Sequence, residues 1–433
     1  MEDIRKKRLL FMDCSALGYD AICRAKKLGV YTIAANFYPT DTQPGKQIAD
    51  EAVNIDITDI EAMLELTKSK NIDGVFVGWT DFHLPFYREL CERAGFPCCG
   101  TKRHFELLSN DKRKFKELCR EYGVPTVPQF KVDISFHPED MSQLEYPVFI
   151  KPADESGGRG VAACYDEEEF VKRFTDLYER SQSKKILVEK LVDNAHEVFF
   201  QYTIQNGISS LSSAFTKQKI NNKKQYVGLP ILHVFPSSHI SEFKKIADKP
   251  IRNLLKGIGV MNGIVVFQGF VQKGSFYFFE SGFRMGGSQF HVFTERLTGI
   301  NSCEMMIRFA LTGEMGGCDV TTQDNPYFAK PSCNYYVPLK RGTITVMKGV
   351  EEVRNMPEVP QLAKIFDIGK KITATSSLDI VCLRIHVMAD DKELLAKTLE
   401  KISQTLDIRD HNGNDMQLES LTYEKALRLI VDS

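Results

Sequence analysis

A short apolar run that ends in a lysine and leads into a glycine-rich loop constrains this fold more than any other feature. The run is Pro147-Val148-Phe149-Ile150-Lys151-Pro152, and the loop contains Ser156-Gly157-Gly158-Arg159-Gly160. Glycine lets backbone N–H groups turn toward an anion, and the lysine supplies a point charge for phosphate. The spacing differs from G-x-x-x-x-G-K-[ST], so the phosphate site of P-loop proteins is not predicted. A plain hairpin with a solvated lysine fits the same residues.

The residues before this run repeat an alternation of strand and helix. Residues 9–12 and 30–35 are short apolar runs, and residues 16–28 carry apolar side chains at helical spacing. This order, continued to about residue 100, predicts a parallel sheet with helices on both faces. The first turn, residues 13–18, lacks G-x-G-x-x-G, so a dinucleotide site is not predicted.

A change of pattern divides the rest of the chain. Ser109-Asn110-Asp111 is typical of a helix start, and Gly123 is typical of the end of that helix. Strand and hairpin patterns then dominate as far as Glu280. Short strands and two helices follow Pro331, which indicates a separate cap domain.

A second apolar run is Ile186-Leu187-Val188-Glu189-Lys190-Leu191-Val192, and Glu197 follows it. A strand that runs into a short connection can offer backbone groups to the edge of an adenine ring. Glu189 or Glu197 can accept hydrogen bonds from ribose hydroxyls. A surface strand end with solvated charges also explains the run, and taken alone the run favours that interpretation.

Two polar residues interrupt apolar runs near residue 270. Gln268 follows residues 264–267, and Glu280 follows residues 276–279. A polar group in such a run is costly unless something binds it, and oxygen ligands beside a triphosphate suit Mg²⁺. A hairpin loop centred on Gly274 places residues 268 and 280 on one face, whereas a two-residue loop at Lys273-Gly274 separates them. A polar pair facing water is the alternative.

Arg284 lies four residues beyond Glu280. A guanidinium at this place can hold a carboxylate or a phosphoryl oxygen. It can equally cap the end of a neighbouring helix. The nine histidines are scattered, and no H-E-x-x-H or Ser-His-Asp arrangement is evident.

Composition argues against several classes of function. Lysine plus arginine number 56 and aspartate plus glutamate 57, which favours neither nucleic-acid nor membrane-surface binding. No apolar run approaches the roughly 20 residues of a membrane span, and the N-terminal run is too short for a signal peptide. The 11 cysteines include no C-x-x-C pair, which is typical of thiols in a reducing cytoplasm. We therefore expect a cytoplasmic protein.

Taken in order, these motifs resemble those of the ATP-grasp superfamily, especially its carboxylate–amine ligases and its biotin-carboxylase-like and carbamoyl-phosphate-synthetase-like branches. The resemblance covers about residues 8 to 320. It implies an α/β protein with an N-terminal Rossmann-like pre-ATP-grasp domain, a central α+β ATP-grasp domain with a lid subdomain, and a C-terminal α+β cap. The implied bounds are residues 1–105, 106–325 (lid about 125–190) and 326–433.

The resemblance also implies a set of nucleotide contacts. In chain order these are Lys112, Lys151, Ser156, Gly157, Gly158, Gly160, Glu189, Lys190, Leu191, Val192 and Glu197. Lys112, which follows Asp111, and Lys151 match lysines that contact phosphates. The serine and the glycines match the mobile lid loop. The run from Glu189 matches the adenine-contacting hinge, and Glu197 matches the glutamate that binds ribose.

Metal and catalytic positions follow from the same resemblance. Gln268 and Glu280 match the two ligand positions for Mg²⁺ or Mn²⁺. The implied catalytic residues are Arg284, which matches the arginine of an E-x-N-x-R motif, and Lys151. The family's asparagine is Gly282 here, which removes one side-chain oxygen from the metal. We interpret this departure as variation within an active group. A nonenzymatic relative is the alternative.

The implied activity is that of an ATP-dependent ligase. It forms an acyl phosphate from a carboxylate, condenses it with an amine and releases ADP and phosphate. Its expected partners are small-molecule substrates, with amino acids first among them, and neither nucleic acid nor membrane. The resemblance admits a homodimer and leaves the oligomeric state open. Two alternatives remain, a biotin-dependent carboxylase-type subunit that activates bicarbonate and a non-catalytic ATP-binding regulatory protein.

Overall fold

The N-terminal region forms a parallel sheet flanked by helices. This computed structural model describes residues 2–153, 160–220, 228–373 and 378–433. Four strands pair in the order β3-β2-β1-β4, all in parallel, as the sequence predicts. The strands are β1 Arg8–Phe11, β2 Tyr31–Asn36, β3 Glu51–Asn54 and β4 Gly74–Phe76, and the helices are α1 Ala16–Lys27, α2 Pro44–Ile48, α3 Ile60–Ser69 and α4 Leu84–Ala94.

A small antiparallel sheet with its own core follows two connecting helices. The elements are α5 Lys102–Phe105, α6 Lys112–Glu121, β5 Gln129–Phe130, α7 Pro138–Met141, β6 Val148–Pro152, β7 Ala162–Cys164, α8 Glu167–Arg180 and β8 Ile186–Lys190. The sheet order is β5-β8-β6-β7. Helix α8 packs Phe170 and Phe174 against Val148, Ile150 and Val188 of the strands. We call this unit the lid sheet.

The next segment builds most of a large antiparallel sheet. Its elements are β9 His196–Gln205, β10 Ile208–Lys219, β11 Pro230–Phe235, α9 Ile240–Phe243, α10 Lys249–Gly257, β12 Gly263–Gln272, β13 Ser275–Gly282, α11 His291–Thr298, α12 Ser302–Thr312 and α13 Val320–Gln323. Residues of β9 and β12 share one continuous apolar core with β1, β4 and α1. The large sheet and the N-terminal sheet are therefore packed against each other.

The C-terminal region extends this sheet. Its elements are β14 Ser332–Pro338, β15 Gly342–Thr343, β16 Val346–Lys348, α14 Val350–Arg354, β17 Gln361–Lys364, β18 Lys371–Ile372, β19 Val381–Met388, α15 Lys392–Thr405, β20 Asp407–Arg409 and α16 Tyr423–Val431. The complete order is β13-β12-β9-β10-β11-β14-β19-β17. Strand β14 pairs directly with β11, so the sheet continues across the expected domain boundary at residue 325/326.

Two sequence expectations about the chain as a whole concern membrane and thiol chemistry. Within the described ranges, no helix combines the length and the apolar character needed to cross a bilayer. All 11 cysteines lie in those ranges as free thiols. Short 3-10 or π turns complete the helical structure at Thr40–Thr42, Asp81–His83, Glu106–Asn110, Lys244–Asp248 and Leu378–Ile380.

Candidate active site

The β12–β13 hairpin carries the two candidate metal ligands side by side. Gln268 pairs with Glu280, so both side chains lie on one face of the sheet. Of the two turns that the sequence allows, the structure has the two-residue turn at Lys273 and Gly274, whose φ values are 49° and 79°. Such a turn alone separates the two faces, but a β-bulge adds Phe279 to one strand and restores the pairing. The pairing is therefore confirmed for a different structural reason.

Lys112 approaches this pair from the start of α6. Its Nζ lies 3.7 Å from Oε2 of Glu280. Asp111 caps the helix by accepting hydrogen bonds from the backbone N–H groups of Arg113 at 2.9 Å and Lys114 at 3.3 Å. The first turn of a helix is the positive end of its dipole, so this corner is electropositive.

A buried carboxylate lies between two lysines on the lid side. Glu189 on β8 is 2% exposed; its Oε2 is 3.0 Å from Nζ of Lys151, and its Oε1 accepts a hydrogen bond from Lys116. Burial raises the pKa of Glu189, but the two lysines outweigh burial and hold the pKa below its ordinary value. Burial lowers the pKa of Lys116 to about 8. At pH 7 Lys116 and Glu189 therefore form an ion pair.

The lid side and the hairpin meet at the bulge. Nζ of Lys151 lies 5.6 Å from the centroid of the Phe279 ring. Next to the bulge, the backbone N–H of Phe278 donates to the carbonyl of Pro125 at 3.0 Å, and the N–H of Val127 donates to the carbonyl of Phe278 at 3.3 Å. These contacts place Lys151 beside the strand that carries Glu280.

Glu197, which the resemblance assigns to ribose, is held by two further lysines. Its carboxylate oxygens lie 3.0 Å from Nζ of Lys217 and 2.5 Å from Nζ of Lys219. Burial raises the pKa of Glu197, but the charges and hydrogen bonds of the two lysines bring it down to about 2. Glu197 is therefore ionised throughout the physiological range.

Arg284 points toward the N-terminal sheet. Its Nη2 lies 2.6 Å from Oδ2 of Asp81, and its Nη1 donates to the carbonyl of Met285 at 3.0 Å. Burial lowers the pKa of Arg284, but Asp81 holds it above its ordinary value. Gly282 lies beside this pair, and a Cβ there would meet Oδ1 of Asp81 at 3.4 Å and the Arg284 guanidinium at 3.5 Å. Position 282 therefore has room for a small side chain.

The proposed adenine run connects the lid sheet to β9. The backbone N–H of Lys190 donates to the carbonyl of Pro128 at 3.0 Å, and that of Leu191 to the carbonyl of Pro147 at 3.3 Å. Lys190 is exposed, and Leu191 and Val192 are half-buried. These contacts hold the run against the edge of the lid sheet.

The lid loop is only partly described. Ser156, Gly157 and Gly158 lie outside the described residues. Gly160 is described, and its φ of 64° is in the left-handed region that favours glycine.

Four charged residues of this site are not predicted from the sequence, namely Asp81, Lys116, Lys217 and Lys219. Asp81 follows the carboxyl end of the parallel strand β4, where ligands commonly bind in open α/β sheets. Lys217 and Lys219 alternate along β10, a spacing that places both on one face. Lys116 is 0% exposed beside apolar residues of α6, a position where a charge needs a partner.

Contacts and strand register bring most of the described predicted residues together. Lys112, Gln268 and Glu280 lie together at the hairpin, and Lys151 connects them to Glu189. Glu197 pairs with Phe270, two residues beyond Gln268 on β12, and so lies on the same sheet face as Gln268. The charge of Glu280 helps to raise the pKa of Arg284, whose ion-pair partner is Asp81. The metal, nucleotide and catalytic roles of all these residues remain predictions.

A family model matches the same part of the chain. Residues 111–316 match the model described as the ATP-binding domain of the carbamoyl-phosphate synthase L chain. The matched segment begins at Asp111, the N-cap of α6, and includes the lid sheet and the β12–β13 hairpin.

Known proteins share the architecture at low sequence identity. The small subunit of 2-oxoglutarate carboxylase from Hydrogenobacter thermophilus is 25% identical over 321 residues, which span 70% of this chain and 66% of that subunit, just under two thirds of it. The structure of the biotin carboxylase domain dimer of that enzyme, in complex with MgADP, ADP and bicarbonate, has a TM-score of 0.79 at 21% identity and covers 99% of this chain and 94% of that one. The structure of the L-amino acid ligase from Bacillus licheniformis has a TM-score of 0.75 at 20% identity, and the match covers 94% of this chain and 100% of that one.

Proposed function

We propose that this chain, which belongs to the ATP-grasp superfamily, uses Mg-ATP to activate a carboxylate and join it to an amine. The observation that carries this proposal is the cleft in which Lys112 and Lys151 lie beside the paired Gln268 and Glu280. Two lysines supply the positive charge that a triphosphate needs, and adjacent oxygen donors are the ligands that Mg²⁺ prefers. The products would be ADP, phosphate and an amide or peptide.

The described residues fit both the nucleotide and the metal. The side chain of Glu280 is 30% exposed, so its carboxylate can reach a metal in the cleft. The amide oxygen of Gln268, on the same face, is a second hard donor. Glu280 and Gln268 would hold the magnesium ion, which would supply positive charge beside the phosphates. Gly282 offers no side-chain ligand.

The mechanism begins with an unreactive carboxylate. It resists attack by an amine because it is anionic and its leaving group would be oxide. Transfer of the γ-phosphoryl group to a carboxylate oxygen makes phosphate the leaving group. The amine then attacks the acyl carbon and loses a proton, and the C–O bond to phosphate breaks. Lys112 and Lys151 stabilise the phosphoryl oxygens, and Arg284 stabilises the carboxylate. The lid sheet would help to exclude water, which otherwise hydrolyses the acyl phosphate.

A second candidate is the activation of bicarbonate. The relative from Hydrogenobacter thermophilus is a carboxylase subunit. One of the structures with this architecture is a biotin carboxylase domain in complex with bicarbonate. In that reaction the γ-phosphoryl group passes to bicarbonate instead of an organic carboxylate. This reaction would use the same lysines and metal ligands and differs in the acceptor of the phosphoryl group.

The direct test measures phosphate release from Mg-ATP by the purified chain. A grid of amino acids, other carboxylates and amines is screened, and ADP is distinguished from AMP. Release of ADP that depends on both a carboxylate and an amine supports the ligase. Release that depends on bicarbonate and biotin favours the second candidate, AMP contradicts the acyl-phosphate mechanism, and ATP binding without turnover favours a regulatory protein.

Lys151→Ala tests the phosphate site within the same assay. We expect loss of at least about 100-fold in turnover, because a fixed charge at the transferred group is removed. Lys172→Ala is the matched control, since Lys172 is an exposed lysine on α8 of the same lid unit. Near-normal turnover of Lys151→Ala contradicts the assignment.

We also infer that the chain forms a homodimer. The structure with the TM-score of 0.79 is that of a domain dimer, and it covers 99% of this chain. Light scattering of the purified chain at several concentrations measures this directly, and a mass of one chain at all of them overturns the inference.

A further inference from the structure

Three side chains from three helices converge where α1 packs against α12. Asp20 lies on α1, His291 is the first residue of α11, and Cys303 is the second residue of α12. A carboxylate oxygen, a ring nitrogen and the thiol sulfur of these residues all lie within 4.8 Å of one another. Nε2 of His291 is 2.6 Å from Oδ2 of Asp20. We call these three residues the helix cluster.

The donor atoms of the helix cluster are those of a transition-metal site. Zinc in proteins is bound by thiolate sulfur, imidazole nitrogen and carboxylate oxygen, whereas magnesium takes oxygen ligands. In a tetrahedral zinc site with bonds of about 2.0 to 2.3 Å, the ligand atoms lie roughly 3.2 to 3.8 Å apart. The separations in the helix cluster differ from these by at most about 1 Å, which rotation of the side chains can supply.

Burial and access also suit a bound metal ion. Cys303 is 0% exposed and His291 is 2% exposed, so two of the three ligands are shielded from water. The side chain of Asp20 is 23% exposed, which leaves a route to the cluster and a place for a water ligand. A metal ion needs no large preformed cavity, because it lies between its ligands in direct contact with them.

The charges of the helix cluster balance those of a divalent ion. Zinc binds the thiolate form of cysteine, so the thiol proton leaves when the metal binds. The thiolate and the carboxylate then carry two negative charges against the two positive charges of zinc, and the imidazole binds as the neutral ring. The positive charge of Arg24, one turn after Asp20, is offset by Glu295, which accepts a hydrogen bond from it, and by Glu304 at 3.9 Å.

His291 leaves one ring nitrogen unpaired. Nε2 contacts Asp20, but Nδ1 has no hydrogen-bond partner among the described residues. A buried polar atom without a partner costs free energy, so the contact with Asp20 is an incomplete explanation of this buried ring. Neutral imidazole carries its proton on either nitrogen. The proton can therefore move to Nδ1 while Nε2 bonds to a metal, and no hydrogen bond is lost at Nδ1.

We propose that the helix cluster binds a zinc ion, with Asp20, His291 and Cys303 as ligands and water in the fourth position. This site is separate from the magnesium site proposed in the cleft, and the inference does not depend on the proposed function. The ion joins α1 of the N-terminal region to α11 and α12. Because α11 follows the loop that begins at Arg284, zinc also fixes the far end of that loop.

The test uses the full chain, freed of metal with a chelator and kept under reducing conditions. Zinc affinity is measured by competition with a chromophoric chelator. Co²⁺ serves as a spectroscopic substitute, because a cobalt–thiolate bond gives a charge-transfer band. We expect one zinc ion per chain with a Kd of about 1 µM or lower, and no displacement by magnesium. Zinc should also raise the unfolding temperature, because it binds the folded chain.

Three substitutions assign the ligands. Cys303→Ser should remove the cobalt–thiolate band and the rise in unfolding temperature with zinc. Asp20→Asn, on the exposed side of the cluster, should weaken zinc binding by at least about tenfold. Cys98→Ser is the matched control for the other thiols, since Cys98 is a half-buried free cysteine outside the cluster, and it should change neither measurement.

The inference is overturned if the wild-type chain binds no stoichiometric zinc, or if the cobalt–thiolate band survives Cys303→Ser or is lost in Cys98→Ser. Should Cys303→Ser fail to fold, Asp20→Asn decides, and an unchanged zinc affinity in that variant overturns the inference as well. Glu280→Gln should leave the cobalt spectrum unchanged. A spectrum that changes in Glu280→Gln places the cobalt in the cleft and contradicts a separate site.

Discussion

Glu280 is the residue on which the proposed metal site depends. Among the residues that the structure describes, its ion-pair partner is Lys112, whose Nζ lies 3.7 Å from Oε2 of Glu280, which is long for a direct hydrogen bond. A carboxylate held this loosely by its own chain keeps lone pairs for a metal. Gln268 contributes a neutral oxygen, so Glu280 supplies the negative charge of the pair.

Glu280→Gln should therefore raise the magnesium concentration needed for half-maximal turnover by about tenfold or more, because one anionic ligand is replaced by a weaker neutral one. Magnesium titrations of ATP turnover measure the effect. Glu242→Gln is the matched control, since Glu242 lies beside Gly274 at the opposite end of the same hairpin. An unchanged magnesium titration places the metal site elsewhere.

Asp324 gives a test of pH dependence outside the site. Burial raises its pKa to about 6, although the hydroxyl of Ser212 donates a hydrogen bond to it. The folded protein therefore binds a proton that the unfolded chain releases near pH 4. The bound proton stabilises the folded protein fully below about pH 4, and this stabilisation is lost as the pH rises through about 6.

Asp324→Asn should remove this loss of stability at higher pH, because the amide stays neutral and its oxygen can still accept a hydrogen bond from the hydroxyl of Ser212. Relative to wild type, the free energy of unfolding of the variant should rise between pH 4 and pH 7 by on the order of 1 kcal/mol, after allowance for the partial exposure of the carboxyl. Urea unfolding at several pH values measures it. A difference that does not vary with pH contradicts the assigned pKa shift.

At the scale of elements, α6 connects the lid sheet to the hairpin through its lysines. Lys112 in its first turn faces Glu280, and Lys116, one turn later, bonds to Glu189 on β8. The two lysines are four residues apart and so lie on one side of the helix. One helix thus touches both walls of the cleft.

Lys116→Met should lower the free energy of unfolding by roughly 2 kcal/mol, because Glu189 stays buried with only Lys151 as a cationic partner. It should also weaken ATP binding, since Glu189 then draws Lys151 away from the phosphates. Denaturant unfolding and ATP titration measure the two effects. Lys114→Met on the same helix is the control, because Lys114 is exposed and its ion pair with Glu106 should contribute less than about 1 kcal/mol. Equal effects of the two substitutions contradict the structural role of Lys116.

At the scale of the whole molecule, the large sheet joins two regions that the sequence predicts to be separate domains, residues 106–325 and residues 326–433. Strands β14, β19 and β17 continue the sheet that begins with β13. Leu232 and Val234 of β11 belong to the same apolar core as Leu383 and Ile385 of β19. We infer that residues 326–433 complete the fold of the central domain.

A chain that ends at residue 325 should therefore aggregate, because β11 becomes an edge strand and its core residues are exposed. Co-expression with residues 326–433 should restore a soluble complex. Size-exclusion chromatography and circular dichroism of both preparations measure this. A soluble, cooperatively folding 1–325 fragment contradicts the inference and supports an independent cap domain.

The sequence by itself determined the features that depend on neighbouring residues. Alternation of apolar runs and helix patterns predicts the N-terminal parallel sheet, and Asp111 predicts the start of α6. The pairing of Gln268 with Glu280 was accessible because their spacing around one turn limits the registers available. The sequence left the choice between the two turns open, and the bulge at Phe279 depends on packing that no local pattern encodes.

Only the tertiary structure decided which distant groups meet. Arg284 and Asp81 are 203 residues apart, and Lys116 and Glu189 are 73 apart. A row of contacting rings takes one side chain from each of four strands, namely Phe199, Phe215, His233 and Tyr336, and β14 joins the row only because the sheet continues beyond residue 325. Such contacts depend on strand order and on the packing of whole sheets. Local propensity and spacing carry no information about either. For that reason Glu189 and Glu197 were readable in the sequence, while Lys116, Lys217 and Lys219, which hold them, were not.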